Sequence, residues 1–180
     1  LGDSLYYFTE IIQPLPMNHN GSINYSSANK NLKFSTTQFN TNKTLDNIYG
    51  ENIEVVKDRL SFFIKNENWY KEKGIPYTLG LLLHGEPGCG KTSLIKAIAN
   101  ITGRHIINIS LHAFTTRTQM NNLFYNEKIY IDTGDRASVP DTCIIPINKR
   151  LYIIEDIDAL SEIVLERGDK DKVSYISIED

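Results

Sequence analysis

Eight residues narrow the choice of folds more than any other part of the chain: Gly85-Glu86-Pro87-Gly88-Cys89-Gly90-Lys91-Thr92. Glycine, four residues, glycine, lysine and threonine make the Walker A pattern of a phosphate-binding loop. The flanks suit it. Leu79-Gly80-Leu81-Leu82-Leu83-His84 reads as a buried strand, and Ser93 to Asn100 reads as a helix, with Leu94, Ala97, Ile98 and Ile101 at helical spacing. Glycines let the backbone turn sharply and bring its N–H groups against phosphate oxygens with no Cβ between them. The helix N-terminus adds partial positive charge. The pattern assigns Gly85, Glu86, Pro87, Gly88, Cys89, Gly90, Lys91, Thr92 and Ser93 to the phosphates of a nucleotide. Lys91 reaches the β- and γ-phosphates, and the Thr92 hydroxyl serves a magnesium ion.

A phosphate loop alone only binds. Hydrolysis also needs carboxylates, one serving the metal and one serving the attacking water. Leu151-Tyr152-Ile153-Ile154 is an apolar strand that ends in Glu155-Asp156, with Asp158 beyond. A strand end places such groups at the mouth of a parallel sheet, where nucleotides bind. This is the Walker B position, with Glu155 on the magnesium side and Asp156 as the general base that orients and polarises water. Lys91, Glu155 and Asp156 are the expected catalytic residues, and Thr92 and Glu155 the expected metal-side residues.

Composition bounds the remaining possibilities. A length of 180 residues, 41% hydrophobic and 23% charged, suits one globular domain with an appendage. A net charge of -3 points to no nucleic-acid or membrane partner. Cys89 and Cys143 offer neither a disulfide framework nor zinc spacing, which fits a reducing, intracellular compartment. No run approaches a membrane span, and Leu1-Gly2-Asp3-Ser4 does not read as a signal peptide. The chain opens without methionine and is expected to be cut from something longer, so a membrane segment could only lie outside it.

Along the chain, Leu5 to Gln13 reads as a strand ended by Pro14 and Pro16. Residues 17–31 are Asn- and Ser-rich, with an Asn20-Gly21 turn signal, and Leu32 to Ser35 reads as a short strand. A helix is expected over about Glu51 to Lys65, with Ile53, Val56, Leu60, Phe63 and Ile64 on one face. Trp69 and Tyr70 read as packing residues, and Gly74 and Gly103 as helix stops. A second strand is expected from Ile106 to Leu111, with His105 in a structural role, and a helix from Thr116 to Tyr125. Lys128 to Ile131 and Cys143 to Pro146 suggest a hairpin. Apolar strands alternating with helices indicate an α/β fold: the parallel sheet of a P-loop NTPase, with helices on both faces. Asp132-Thr133-Gly134 has the form of an aspartic-protease triplet, but that chemistry needs two facing aspartates, and a hairpin turn explains it better. Asn148-Lys149-Arg150-Leu151 lacks the aspartate of a guanine-specifying motif.

Several of these segments resemble the AAA family. Gly85 to Thr92 is similar to its loop, with Glu86 where proline is usual, and Ile157-Asp158-Ala159-Leu160 is similar to the continuation of its Walker B strand. Asn47-Ile48-Tyr49-Gly50 resembles its Ile-x-Gly element, which implies that Ile48, Tyr49 and Gly50 hold the adenine. Asn68-Trp69-Tyr70, Lys73 to Tyr77, Gly80 to Gly85 and the Glu155-Asp156 order resemble the branch of the mitochondrial Rieske-protein translocase, the assembly chaperone of ubiquinol–cytochrome c reductase. Similar sequences occur in giant DNA viruses. The resemblance covers about Asn47 to Leu160. It implies a chaperone-like ATPase that uses ATP and Mg2+ to remodel or translocate a protein client in a homo-oligomeric ring, a hexamer or heptamer. It implies residence at the mitochondrial inner membrane, or in host cytoplasm if viral. It divides the chain into a β-rich, middle-domain-like segment, 1–46, and the N-terminal part of an AAA module, 47–180, with an inserted stretch at 126–149. The sensor asparagine, arginine finger and helical lid of the family are expected beyond Asp180, so the isolated piece is expected to turn over little ATP. A nucleotide-gated scaffold with little turnover is the alternative.

Overall fold

The computed structural model describes residues 4–13, 17–18, 20, 30–50, 53–112, 115–132 and 141–155. Among the described residues, six strands form one sheet in a mixed α/β architecture. They are β1 (Leu5–Ile11), β2 (Lys33–Phe39), β3 (His105–Ile109), β4 (Lys128–Ile131), β5 (Asp141–Ile144) and β6 (Arg150–Ile154). The described helices are α1 (Ile53–Lys65), α2 (Glu67–Lys73), α3 (Lys91–Thr102) and α4 (Arg117–Tyr125). The strand order is β5-β4-β2-β1-β3-β6. β2 and β4 run parallel, with Lys33 opposite Tyr130 and Phe34 opposite Ile131. β4 and β5 pair antiparallel as expected, with Ile129 opposite Cys143, but the second arm starts at Asp141 and ends at Ile144 rather than running from Cys143 to Pro146.

One expected strand is absent. The run Leu79 to His84 is not a strand and takes no place in the sheet. Leu82 is 82% exposed and Leu81 is 36% exposed. An apolar run becomes a strand only where neighbouring strands satisfy its N–H and C=O groups. In this sheet the neighbours of β3 are β1 and β6, and no described strand offers Leu79 to His84 a ladder.

Contacts divide the chain into two compact units. One takes residues up to Tyr6 together with Gln38–Ile106; the other takes Tyr7–Thr37 and the residues from Ile107 onward. In the first unit, α1 buries Leu60 and Phe63, and α3 buries Leu94, Ala97, Ile98 and Ala99. Ile53 and Val56 are half-buried, while Ile64 lies at the margin of the apolar stripe and is exposed. Tyr77 stacks on Phe63 with ring centroids 4.2 Å apart, and its hydroxyl donates to the Phe63 carbonyl at 2.8 Å. Tyr70 packs edge-on against both rings, Trp69 packs against Phe62, and the Arg104 guanidinium sits 5.3 Å from the Phe63 ring centre. These contacts pin the chain to α1 shortly before the phosphate loop. α2 stops at Gly74 (φ 65) and α3 at Gly103 (φ 58), both left-handed caps that a Cβ would strain.

In the second unit Phe8, Phe34, Ile107, Ile109, Ile129 and Ile145 are fully or almost fully buried. Each such side chain contributes about 1.5–3 kcal/mol of burial. α4 opens with a capping box: the Thr116 Oγ1 accepts from the Gln119 N–H at 3.2 Å, and the Gln119 Oε1 accepts from the Thr116 N–H at 2.8 Å. Arg150, 3% exposed, opens β6. Its guanidinium donates to the carbonyls of Ile145 (2.6 and 3.0 Å), Leu123 (2.8 Å) and Asn126 (2.9 Å), and to the Tyr152 hydroxyl (3.3 Å). Leu123 and Asn126 lie at the C-terminal end of α4, where the helix dipole favours a cation.

Candidate functional site

The phosphate loop runs from Gly85 into the first turn of α3. Gly85 (φ 137), Gly88 (φ 84) and Gly90 (φ 93) all have positive φ, so the loop's shape depends on its glycines. At Gly85 the requirement is also steric, since a Cβ there would lie 2.9 Å from the Cys89 Sγ. Gly90 caps α3 without a side-chain bond, and no acidic residue stands in the first turn. The first N–H groups of a helix have no intrahelical acceptors, so this turn favours an anion. Lys91 is the first residue of α3, and its ammonium folds back over the loop. It donates to the carbonyls of Gly85 at 2.6 Å and Glu86 at 2.9 Å, and lies 3.6 Å from the Cys89 Sγ. Gly85, Glu86, Cys89 and Lys91 are thus drawn together. Pro87 and Gly88 are exposed in the same loop, Thr92 is exposed on the first turn of α3, and Ser93 is half-buried there.

Ile48, Tyr49 and Gly50, the residues expected beside the adenine, follow a 3-10 turn, Leu45–Asn47, that packs against α3. The Asn100 side chain fastens this region by donating to the Lys43 carbonyl at 2.9 Å. Ile48 is buried, Tyr49 is 85% exposed, and the Gly50 carbonyl accepts from the Ile53 N–H at 3.4 Å.

In the second unit, Glu155 follows the last residue of β6 and is exposed. Its Oε2 accepts from Asn108 Nδ2 of β3 at 3.0 Å. The same Nδ2 donates to the Tyr7 hydroxyl of β1 at 3.1 Å. Burial, and then the charge of Glu155, push the Tyr7 hydroxyl's pKa up, with the Asn108 bond opposing. Glu10, also on β1, accepts the Ser110 N–H at 2.8 Å; burial raises its carboxyl, partly offset by that bond and by His112. Asp156, Asp158, Ala159 and Leu160 lie outside the described residues, as do Thr133 and Gly134 of the protease-like triplet. His105 has the structural role expected of it, its Nδ1 accepting the Tyr6 N–H at 3.1 Å.

Sequence reading passed over Tyr7 and Asn108. One signal was present: Asn108 is the polar member of an otherwise isoleucine-rich strand, His105-Ile106-Ile107-Asn108-Ile109. Arg150 gave none, because its burial depends on carbonyls of three separate residues, Leu123, Asn126 and Ile145, that only the fold brings together.

The loop's glycine-shaped cradle fits a polyphosphate. The Thr92 hydroxyl in the first unit and the Glu155 carboxylate in the second are each of the oxygen-donor type that magnesium takes. The family described as "ATPase family associated with various cellular activities (AAA)" matches residues 81–175, over half of the chain. The chain belongs to the AAA family. Within it, the chain is 37% identical over 115 residues to a probable mitochondrial chaperone, BCS1-A, of Dictyostelium discoideum; this covers 63% of the chain and 22% of that protein. It is 28% identical over 148 residues to an uncharacterised protein of Acanthamoeba polyphaga mimivirus, covering 81% of the chain and 40% of the viral protein. A mitochondrial AAA-ATPase of Arabidopsis thaliana is 29% identical over 156 residues, covering 85% of the chain and 30% of the plant protein. The chain therefore spans well under half the length of these relatives. The AAA resemblance read from the loop, and the branch read from Trp69-Tyr70 and its neighbours, agree with these matches. Among the described residues no helix is long and apolar enough to cross a membrane.

Proposed function

We propose that the chain binds ATP with magnesium and hydrolyses it, as the N-terminal part of an AAA module that remodels or translocates a protein client in a ring of identical subunits. The observation that carries this reading is the Gly85–Thr92 loop at the start of α3, with Lys91 drawn into it, in a chain that matches the family over residues 81–175. The phosphate oxygens take the loop N–H groups and the Lys91 ammonium as donors. Lys91 would exchange its bonds to the Gly85 and Glu86 carbonyls for bonds to phosphate. Thr92 and Glu155 would hold magnesium, which when bound neutralises charge on the phosphoryl oxygens. Asp156 would accept a hydrogen bond from the attacking water and aim it. Ile48, Tyr49 and Gly50 would flank the adenine. Residues 1–46 correspond in this reading to the segment that precedes the ATPase module, and 126–149 to an insertion within it.

The relatives' printed names supply the rest of the proposal. Two are named mitochondrial and one of those a chaperone; a chaperone's work on a protein client, in mitochondria or in a virus-infected cell, is the corresponding role here. Two substitutions in the full-length protein test it. Asp156→Asn is expected to keep ATP binding and lower turnover by about 100-fold or more. Persistent turnover would displace Asp156 from its role, and a wild type that binds but does not turn over would favour a nucleotide-gated scaffold. Lys91→Ala is expected to weaken ATP binding by about 100-fold, since it removes the loop's only lysine. Unchanged affinity would sink the nucleotide-site reading.

A further inference from the structure

Strand β1 lies outside the stretch that matches the AAA family, yet one of its side chains sits a single amide away from Glu155. We propose that β1 serves the metal-side carboxylate: Tyr7, acting through Asn108, is a positioning residue for Glu155. The proposal rests on the reading of Glu155 as a metal-side residue.

Three features support it. First, the hydrogen-bond stoichiometry closes. The Asn108 amide has two N–H groups, and two acceptors lie within reach of its nitrogen, Glu155 Oε2 at 3.0 Å and the Tyr7 hydroxyl oxygen at 3.1 Å. An ionised carboxylate only accepts, so charge dictates that Nδ2, not Oδ1, faces Glu155. Tyr7 then takes the second N–H and fixes the plane of the amide. Second, Glu155 is exposed, at the end of a strand. Such a side chain samples several rotamers, and a donor anchored on the neighbouring strand selects among them. Third, β1 is itself anchored. The strands stand in the order β1-β3-β6, Phe8 is wholly buried next to Tyr7, and Glu10 ties β1 to the backbone just after β3 through the Ser110 N–H at 2.8 Å. A slip of β1 by one residue would turn Tyr7 to the other face of the sheet and release Asn108. Movement of the N-terminal segment would therefore be felt at Glu155, although the segment supplies no phosphate-loop residue.

The test uses the full-length protein, with manganese as a paramagnetic substitute for magnesium and a fluorescent ADP analogue as the nucleotide. Two affinities are measured: nucleotide alone in EDTA, and manganese for the nucleotide-bound protein by electron paramagnetic resonance. Asn108→Leu is expected to leave the first within about twofold and weaken the second about tenfold, the usual effect of losing a group that orients a metal ligand. Tyr7→Phe, which removes one oxygen, is expected to weaken manganese about threefold and leave nucleotide unchanged. Unchanged manganese affinity in Asn108→Leu overturns the proposal, as does an equal loss of both affinities, which would mark general damage to the fold. If Asn108→Leu does not fold, Tyr7→Phe decides alone, and unchanged manganese affinity there overturns the role of β1. A wild-type protein that binds no nucleotide defeats the ATPase reading itself, an outcome distinct from all of these.

Discussion

The phosphate loop and the Glu155 cluster are built in opposite ways. The loop is contiguous: eight residues, three positive-φ glycines and a lysine that bonds its own loop carbonyls. Its shape is written in local backbone preferences and survives exposure to water. The cluster is assembled from β1, β3 and β6, whose contributing residues Tyr7, Asn108 and Glu155 are separated by 101 and 47 positions. Nothing local holds it; the sheet does. A contiguous site fails locally when damaged, and an assembled one fails with its fold.

That contrast can be broken by substitution. The largest effect on stability is expected at Arg150, in the assembled unit. Arg150→Met would leave the carbonyls of Asn126 and Ile145 without their side-chain donor and that of Leu123 with the Tyr152 hydroxyl alone, at a cost of about 3 kcal/mol. Chemical denaturation reads this as a lower midpoint, and a midpoint within error of wild type would show the clamp to be dispensable. Next comes Gly85→Ala in the loop. A Cβ at φ 137, 2.9 Å from the Cys89 sulfur, costs about 1–3 kcal/mol of local strain. The expected result is nucleotide affinity lowered by about tenfold or more with a smaller change in global stability than at Arg150. A larger stability loss at Gly85 than at Arg150 would overturn the contrast.

The smallest effect concerns Glu10, whose carboxyl is held above the ordinary 4.5 chiefly by burial. A carboxyl with a raised folded-state pKa binds more protons folded than unfolded, so stability falls as pH rises through the interval from 4.5 to the raised value. Glu10→Gln keeps an acceptor for the Ser110 N–H and removes the buried charge. It is expected to flatten this part of the pH–stability curve, measured by thermal melts between pH 4 and 7, and to stabilise slightly above it. An unchanged curve would mean the carboxylate is already well solvated.

The elements legible in the sequence were those with local causes. Gly74 and Gly103 end helices because only glycine takes φ near +60° cheaply. The apolar stripe through Leu60 and Phe63 shows in the residue pattern. The pairing of β4 and β5 was visible in the runs Lys128 to Ile131 and Cys143 to Pro146, the second of which overlaps β5 only at Cys143 and Ile144. The strand expected at Leu79 to His84 was not decided by its composition, because a strand is a relation between chain segments. Asn108 was legible only as an oddity in an apolar strand, since the partners that give it meaning lie on two other strands.

The sequence alone determined the chemistry on offer: a glycine-shaped phosphate loop, a lysine and threonine at a helix start, and carboxylates at the end of an apolar strand. These depend on φ preferences, hydrogen-bonding types and charge within a few residues, which amino-acid identity specifies directly. Only the tertiary structure decided that β1 and β2 from the N-terminal segment enter the same sheet as β3, β4 and β6, that Arg150 is buried against the end of α4, and that Tyr7 and Asn108 stand beside Glu155. Strand pairing and burial are set by which distant backbones satisfy one another away from water, and no window of local sequence contains that choice.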